Sequence, residues 1–191
     1  VYTSDQGFYL GEHGWFDKRW MYEESFKMPF LIMSPKLIKP GTVSDAIVMN
    51  IDFAPTLLDM AGLNIPSEMQ GESFKNVFNN KLEYIHEAAY YHYYEYPIWH
   101  KVQPHYGIRT SRYKLIHFYY SMDEWELYDL KNDPQELFNI YANAPEALVR
   151  DLKKKLTNLK EEYKDDYSIK EMKSITDTII RRVYNEPYKL N

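Results

Sequence analysis

An unbroken apolar run, Phe-Leu-Ile-Met at residues 30–33, limits what the first part of this chain can form. Prolines bound the run on both sides, and this pattern is typical of a strand buried on both faces. A helix is predicted to begin at Ile51, because Pro55 falls in its first turn and Gly62 stands just past its end. A buried strand followed by such a helix indicates an α/β layer on a parallel sheet.

The first three residues, Val-Tyr-Thr, are β-branched and aromatic, which indicates the end of another strand. A strand needs neighbours before it contributes to a stable sheet. We therefore expect the chain to be the C-terminal piece of a longer protein, with residues 1–84 forming the end of its α/β domain.

The sequence pattern changes after residue 84 and predicts a small α+β subdomain over 85–191. Alternating and Tyr-rich segments predict antiparallel strands at residues 87–96, 107–110, 113–119 and 124–130. Apolar residues spaced three or four apart predict one long amphipathic helix over 145–164. The polar stretch that follows, 165–191, is expected to wrap the surface as a tail.

Charge and composition exclude several classes of function. A net charge of −5 argues against a nucleic-acid partner, which needs a concentrated basic face. The absence of cysteine excludes a thiol nucleophile, a Cys-type zinc site and a disulfide scaffold in this chain. No apolar run approaches the roughly 18–20 residues that span a bilayer. Tyrosine is abundant, with 19 residues, which suits a half-solvated sheet or a sugar-binding cleft.

Three residues near the start could carry chemistry. Asp5 and Gln6 follow a predicted strand and offer a carboxylate and an amide oxygen, hard donors suited to Ca²⁺ or Mg²⁺. Lys18 follows thirteen residues later, and a cation beside a metal suits a sulfate or phosphate ester. From spacing alone, a turn is the favoured explanation for Asp5 and Gln6, and a solvated charged loop is the favoured explanation for Lys18.

Histidines supply weaker candidates. His13, in a glycine-rich loop, could be a ligand, a proton donor or a residue that braces the loop. His92, His100 and His105 lie in the Tyr-rich segment and could face a cleft, although each alone is more typical of a surface or core histidine.

Taken together, the residues from Tyr2 to Gly14, then Lys18, then Tyr-Glu-Glu-Ser at 22–25, resemble the type I sulfatases. These formylglycine-dependent enzymes belong to the alkaline phosphatase superfamily. The resemblance continues in order through residues 50–59, 105–115 and 126–136, and so covers roughly residues 1–160. It implies the C-terminal part of an alkaline-phosphatase-like α/β fold, in which a remnant of the parallel sheet precedes the α+β subdomain.

The resemblance also implies roles for individual residues. Asp5 and Gln6 correspond to the second half of a Ca²⁺ site, with Mg²⁺ as the alternative cation. Lys18 corresponds to the lysine that contacts the sulfate and its leaving oxygen. Asp17 and Arg19 flank it as in the N-acetylglucosamine-6-sulfatase-like branch, where we expect them to hold sugar hydroxyls.

Two further histidines take lesser roles by resemblance. His105 is a weaker candidate for the same sugar subsite, and Arg19 suits it through its planar fork of donors. His13 is a candidate for the second shell of the metal site. The implied substrate is a sulfated glycan, with GlcNAc 6-O-sulfate favoured, and the implied location is the periplasm or the cell exterior.

This sequence departs from the family in what it lacks. The Cys/Ser-x-Pro-x-Arg motif that yields the formylglycine nucleophile does not occur, nor do the paired Asp metal ligands that precede it in the family. We expect both in an N-terminal part of the same enzyme, so that this chain alone is inactive.

Two rival interpretations remain open at this level. A phosphatase or phosphonate hydrolase of the same superfamily shares the Asp-to-Lys spacing, although such relatives usually carry His after the metal-binding Asp, where this chain has Gln6. A non-catalytic carbohydrate-binding module would instead stack sugar rings on its tyrosines. The tyrosines concerned are Tyr90, Tyr91, Tyr93, Tyr94 and Tyr96.

Overall fold

The computed structural model describes residues 1–79, 84–97 and 100–185 and divides the chain into two compact units. The first unit comprises Val1–Lys18 and Glu23–Ala89, and the second comprises Arg19–Tyr22 and Tyr90–Asn191. The main division lies close to the predicted boundary after residue 84. The chain also enters the second unit for the short segment Arg19–Tyr22, which the sequence pattern does not predict.

A small hairpin opens the first unit. Strand β1 (Tyr9–Leu10) pairs antiparallel with β2 (Phe16–Asp17), and the 3₁₀ turn Glu12–Gly14 joins them. Gly11, at φ 129°, begins this turn in a backbone region that glycine adopts without steric cost. Helix α1 (Glu23–Phe26) follows.

Helix α2 (Phe53–Met60) organises the rest of the first unit. It follows a 3₁₀ turn at Asn50–Asp52 and ends before Gly62, which confirms the predicted helix. The buried Asp52 carboxylate accepts hydrogen bonds from the Met49 and Glu72 amides at 2.7 and 2.9 Å and contacts His86 Nε2 at 2.9 Å. The hydrophobic core of this unit lies around Phe74, Val77 and Phe78.

The expectation for residues 30–33 is only half right. Phe30 and Ile32 pack on the core of the first unit, but Leu31 is 67% exposed and Met33 is 83% exposed. The segment makes a single antiparallel bridge, from Leu31 to Tyr2, and no parallel ladder occurs in the first unit within the described ranges. Only one face of the run is therefore buried, the face that carries Phe30 and Ile32. Within the described ranges, the run bridges one neighbouring segment, at Tyr2.

The second unit is built on a four-stranded sheet. Its strands are β3 (Ala88–Tyr93), β4 (His105–Thr110), β5 (Tyr113–Phe118) and β6 (Glu124–Asp129), in that spatial order. The last three pair antiparallel, with Ile108 opposite Leu115 and Leu115 opposite Leu127, all three fully buried. This arrangement confirms the antiparallel strands predicted from alternation.

Two helices of 17 residues complete the second unit, where the sequence analysis expected one. Helix α3 (Glu146–Glu162) lies within the predicted span and buries Leu152 and Leu156. The expected surface tail is wrong, because helix α4 (Ile169–Asn185) occupies most of it and buries Met172. Along the described ranges, no helix has the length and apolarity to cross a membrane.

Candidate functional site

The hairpin of the first unit brings Asp5 and Lys18 together. Asp5 precedes β1 and Lys18 follows β2, so the reversal of the chain returns the lysine to the carboxylate. Lys18 Nζ donates to Asp5 Oδ2 at 3.2 Å. The Asp5 side chain is 86% exposed and that of Lys18 is 35% exposed, so both remain accessible to a ligand.

The lysine sets the electrostatic state of the carboxylate. The hydrogen bond from Lys18 and then its positive charge hold the pKa of Asp5 below the ordinary value of 3.8. Asp5 is therefore ionised at neutral pH. An ion pair this exposed contributes little to folding stability, so its interest lies in the charged groups that it offers to a ligand.

Gln6 turns its amide nitrogen into the protein. Nε2 donates to Ser25 Oγ at 2.7 Å and lies 3.4 Å from the carbonyl oxygen of Lys18. Ser25 Oγ in turn donates to that same carbonyl at 2.9 Å. The carbonyl oxygen of Gln6, Oε1, accepts no hydrogen bond from any residue in the described part of the chain.

These donors fit a hard divalent cation. An exposed, ionised carboxylate at Asp5 stands next to an uncommitted amide oxygen at Gln6, and both are ligands that Ca²⁺ prefers. Two donors leave a shell of about six to eight incomplete. Across residues 1–79, 84–97 and 100–185 there is no group of three or more His, Asp or Glu that could hold a metal.

His13 and Asp17 lie in the same unit, both in left-handed backbone conformations. His13 Nε2 lies 3.3 Å from Glu24 Oε2, next to Ser25 in α1. Asp17 ends β2 with φ 89°, where non-glycine residues are rare and often functional. The sequence-predicted residues Asp5, Gln6, His13, Asp17 and Lys18 therefore all belong to the first unit.

Arg19 and His105 belong to the second unit. The Arg19 carbonyl accepts a hydrogen bond from Tyr91 Oη at 3.1 Å, which fixes its backbone to β3. His105 has no exposed surface, and its ring stacks between Trp20 and Tyr93 with centroids 5.7 and 5.6 Å away. This burial does not support the expected contact between His105 and sugar hydroxyls, because the ring has no surface to offer a substrate.

The tyrosines of β3, and Tyr94 just after it, make internal contacts. The hydroxyls of Tyr90 and Tyr94 donate to Asp165, and Tyr91 donates to Arg19. Tyr93 is buried, and of the five candidate tyrosines only Tyr94 is exposed. A platform that stacks sugar rings needs open aromatic faces, so this arrangement does not favour the carbohydrate-binding module.

Sequence reasoning passed over Ser25 and Glu24, which line the inner side of the site. Ser25 is fully buried and contacts both Gln6 and Lys18. The only signal was its place in the Tyr-Glu-Glu-Ser stretch that carried the resemblance. A lone serine has no chemistry that a spacing pattern can identify, since its role depends on which groups reach its hydroxyl.

Comparison with known proteins gives consistent matches. The family model described as N-sulphoglucosamine sulphohydrolase, C-terminal, matches residues 11–162. The N-acetylglucosamine-6-O-sulfatase of Bacteroides thetaiotaomicron is 56% identical over 170 residues, which cover 87% of this chain and 30% of that relative.

Solved structures agree with this match. The structure of BT4656 in complex with its substrate D-glucosamine-2-N,6-O-disulfate superposes with a TM-score of 0.83 at 54% identity, covering 88% of this chain and 35% of that one. The phosphonate monoester hydrolase of Agrobacterium radiobacter gives a TM-score of 0.68 at 26% identity, covering 84% and 34%. This chain thus spans about a third of the length of the proteins it matches.

Proposed function

This chain belongs to the N-sulphoglucosamine sulphohydrolase family, whose C-terminal model it matches, and on that premise we propose that it is the C-terminal part of a sulfatase. The favoured substrate is a sulfated glycan that carries the 6-O-sulfate of a glucosamine-type sugar. The likeness to an N-acetylglucosamine-6-O-sulfatase and to a structure bound to a 6-O-sulfated glucosamine supports this choice. The remaining part of the same enzyme would be its obligatory partner.

The observation that carries the proposal is the contact of Lys18 Nζ with Asp5 Oδ2, beside the uncommitted oxygen of Gln6. Asp5 and Gln6 would hold Ca²⁺, or Mg²⁺ as the other cation that hard oxygens bind. When bound, this cation supplies positive charge that offsets the negative charge of the sulfuryl oxygens. The formylglycine nucleophile of the family is expected outside this chain.

Lys18 would act on the ester oxygen. Its ammonium carries three N–H donors, so it can donate to a sulfuryl oxygen and to the leaving oxygen of the sugar while it keeps Asp5 as a neighbour. A donor fixed where negative charge develops lowers the barrier, because it need not reorganise during the reaction.

The flanking residues would bind the sugar. Asp17 accepts hydrogen bonds from hydroxyl groups, and Arg19 donates from a planar fork. The left-handed φ of Asp17 supports a constrained side-chain direction at this position. His13 would act through Glu24, which it contacts, and not on the substrate itself.

A replacement of Lys18 tests this function. In the complete enzyme, Lys18→Ala should lower kcat for sulfate release from GlcNAc 6-O-sulfate by roughly 10²–10³, as expected for loss of one transition-state donor. Lys75→Ala is the matched control, since Lys75 is 33% exposed, close to the 35% of Lys18, and also forms an ion pair with an aspartate of the same unit, Asp59, at 2.7 Å. Equal turnover in the two variants would remove Lys18 from the site.

A phosphonate or phosphate ester hydrolase is the second candidate, favoured by the structural likeness to a phosphonate monoester hydrolase. Sulfate and phosphate monoesters of the same alcohol, compared by kcat/KM with the complete enzyme, separate the two. A preference for the phosphate ester would replace the sulfatase assignment.

The periplasm or the cell exterior is the compartment we propose. The match to a Bacteroides sulfatase supports this location, and sulfated glycans are extracellular polymers. Location and substrate therefore agree.

A further inference from the structure

We propose that Ser25 is a positioning residue, whose buried hydroxyl fixes the side-chain amide of Gln6 so that its carbonyl oxygen is left for the cation. This inference rests on the proposed function, since it concerns the same site. Ser25 is fully buried and touches neither solvent nor an exposed cleft. It therefore acts through Gln6 and Lys18 and not on a substrate.

The orientation of the Gln6 side-chain amide follows from the number of protons available for hydrogen bonds at Ser25. The Ser25 hydroxyl has one proton, and it donates that proton to the Lys18 carbonyl at 2.9 Å. Only its lone pairs then face Gln6, so the atom 2.7 Å away must be a donor, which is Nε2. With the amide reversed, the single Ser25 proton could serve either Oε1 or the Lys18 carbonyl but not both, and these two acceptors would face each other without a donor between them.

The backbone holds this hydroxyl in place. The carbonyl of Ser25 accepts a hydrogen bond from the Gly7 amide at 2.8 Å, so the loop after Gln6 lies directly on α1. A Cβ on Gly7 would stand 1.9 Å from the Glu24 carbonyl oxygen, a distance that only glycine avoids. The loop and the helix are thus in direct contact at the residue that follows Gln6.

One serine therefore serves two of the proposed functional residues. It accepts from the Gln6 side chain and donates to the backbone of Lys18, whose ammonium contacts Asp5. Partners of this kind behind metal ligands typically change metal affinity by about 10–100-fold when they are removed. Gln6 and Lys18 are then held in place by a buried hydroxyl that does not itself contact the substrate.

A double-mutant cycle on Ca²⁺ affinity tests the inference. In the complete enzyme, titrated calorimetrically with CaCl₂, Ser25→Ala should raise Kd by about 10–100-fold. In a Gln6→Glu background both side-chain oxygens are acceptors, so orientation no longer matters and the same change should cost less than about 3-fold. An equal loss of affinity in the two backgrounds would overturn the proposal.

Thr56→Val is the control for simple loss of stability. Thr56 is a buried hydroxyl of the same unit with the same pattern, since it donates to the Asp52 carbonyl and accepts from the Phe74 amide. It should lower the melting temperature and leave the Ca²⁺ affinity unchanged. A parallel loss of Ca²⁺ affinity in Thr56→Val would show that Ser25 acts only through stability.

Two further outcomes complete the design. If Ser25→Ala does not fold, Ser25→Cys, which replaces the hydroxyl by a larger thiol that is a weak donor and a weak acceptor, enters the same cycle, with the same coupling to Gln6 expected. If the unaltered enzyme hydrolyses sulfate esters and binds Ca²⁺ but shows no coupling, the inference alone fails. If it does neither, the inference fails together with the proposed function.

Discussion

The imidazole of His105 is enclosed by aromatic rings, and this burial determines its ionisation. Nδ1 donates to the Gln103 carbonyl at 2.7 Å, whereas Nε2 is buried and accepts no hydrogen bond within the described residues. Desolvation lowers the pKa of His105 to about 4, against an ordinary value of 6.5. Between pH 6.5 and about 4, the ring is therefore neutral in the folded protein but becomes protonated in the unfolded chain.

The stability of the second unit should consequently fall as the pH drops from 6.5 towards 4. In that window the unfolded state binds a proton that the native state does not, and a shift of this size is worth up to about 3 kcal/mol. His105→Phe should reduce the pH dependence of the thermal midpoint. It should not abolish it, because burial also lowers the pKa of His92 and His117.

His100→Gln serves as the comparison, since His100 is exposed in the same unit. This variant should keep the slope of the unaltered protein between pH 6.5 and 4. If His105→Phe also keeps that slope, the ring does not titrate as its burial implies.

At the same scale, the sequence indicates which residues could contact a ligand better than it indicates which residues hold them in place. Asp5 and Lys18, which the resemblance assigns to one site, are in contact with each other. The burial of His105 depends on residues far along the chain, and the role proposed for Ser25 depends on a single hydroxyl proton. Neither leaves a trace in local spacing.

At the scale of the elements, strand β4 lies very close to its neighbours at Gly107. A Cβ built there lies 2.2 Å from the Leu115 carbonyl oxygen and 2.8 Å from Met21 Sδ. The first of these atoms belongs to the backbone of β5 and cannot move without breaking the ladder. Glycine at this position therefore allows the segment Arg19–Tyr22 and the strand β5 to pack against β4.

Gly107→Ala should lower the free energy of unfolding by about 1–3 kcal/mol or more through overpacking. Amide hydrogen exchange should show lost protection in β4 and β5. Gly41→Ala provides the contrast, because nothing lies within 4 Å of its added Cβ and only its φ of 77° is unfavourable. Unchanged exchange in β4 after Gly107→Ala would contradict the close approach described here.

Helix α4 shows which signals the sequence analysis missed. The Ser168 amide and hydroxyl donate to Glu171 Oε2 at 2.8 and 2.6 Å, and the Glu171 amide lies 3.3 Å from Ser168 Oγ. This is a capping box, readable as Ser-x-x-Glu before residues of helical spacing. The apolar residues of α4 are at least as numerous as those of α3, which has the same length, and they also recur at helical spacing, so this second helix was predictable from the sequence.

On the scale of the whole molecule, the segment at 30–33 marks the limit of prediction. Composition correctly indicates an extended apolar segment, and Phe30 and Ile32 do pack on the core. Whether the second face of a strand is covered depends on other strands, which a local pattern cannot report. The α+β part was predictable in more detail, because an antiparallel sheet is made from neighbours in sequence.

The 191-residue chain by itself should release no sulfate from GlcNAc 6-O-sulfate. It offers two oxygen donors of the proposed cation site and lacks the Cys/Ser-x-Pro-x-Arg motif of the family nucleophile. Turnover assayed at high protein concentration with added Ca²⁺ checks this expectation, with the complete enzyme as the positive control. Measurable release by the chain alone would mean that its residues form a site of another kind.

The short segment Arg19–Tyr22 has a practical consequence for dissecting this protein. Met21 and Tyr22 are buried in the second unit, and Tyr22 Oη donates to Glu126 at 2.9 Å, over a hundred positions further along the sequence. A gene shortened to start at residue 90 would encode every strand and helix after β3 and still omit part of their interior. A truncation at this boundary therefore lacks part of the fold of the second unit. The form to express is a circularly permuted or tethered version that restores Arg19–Tyr22.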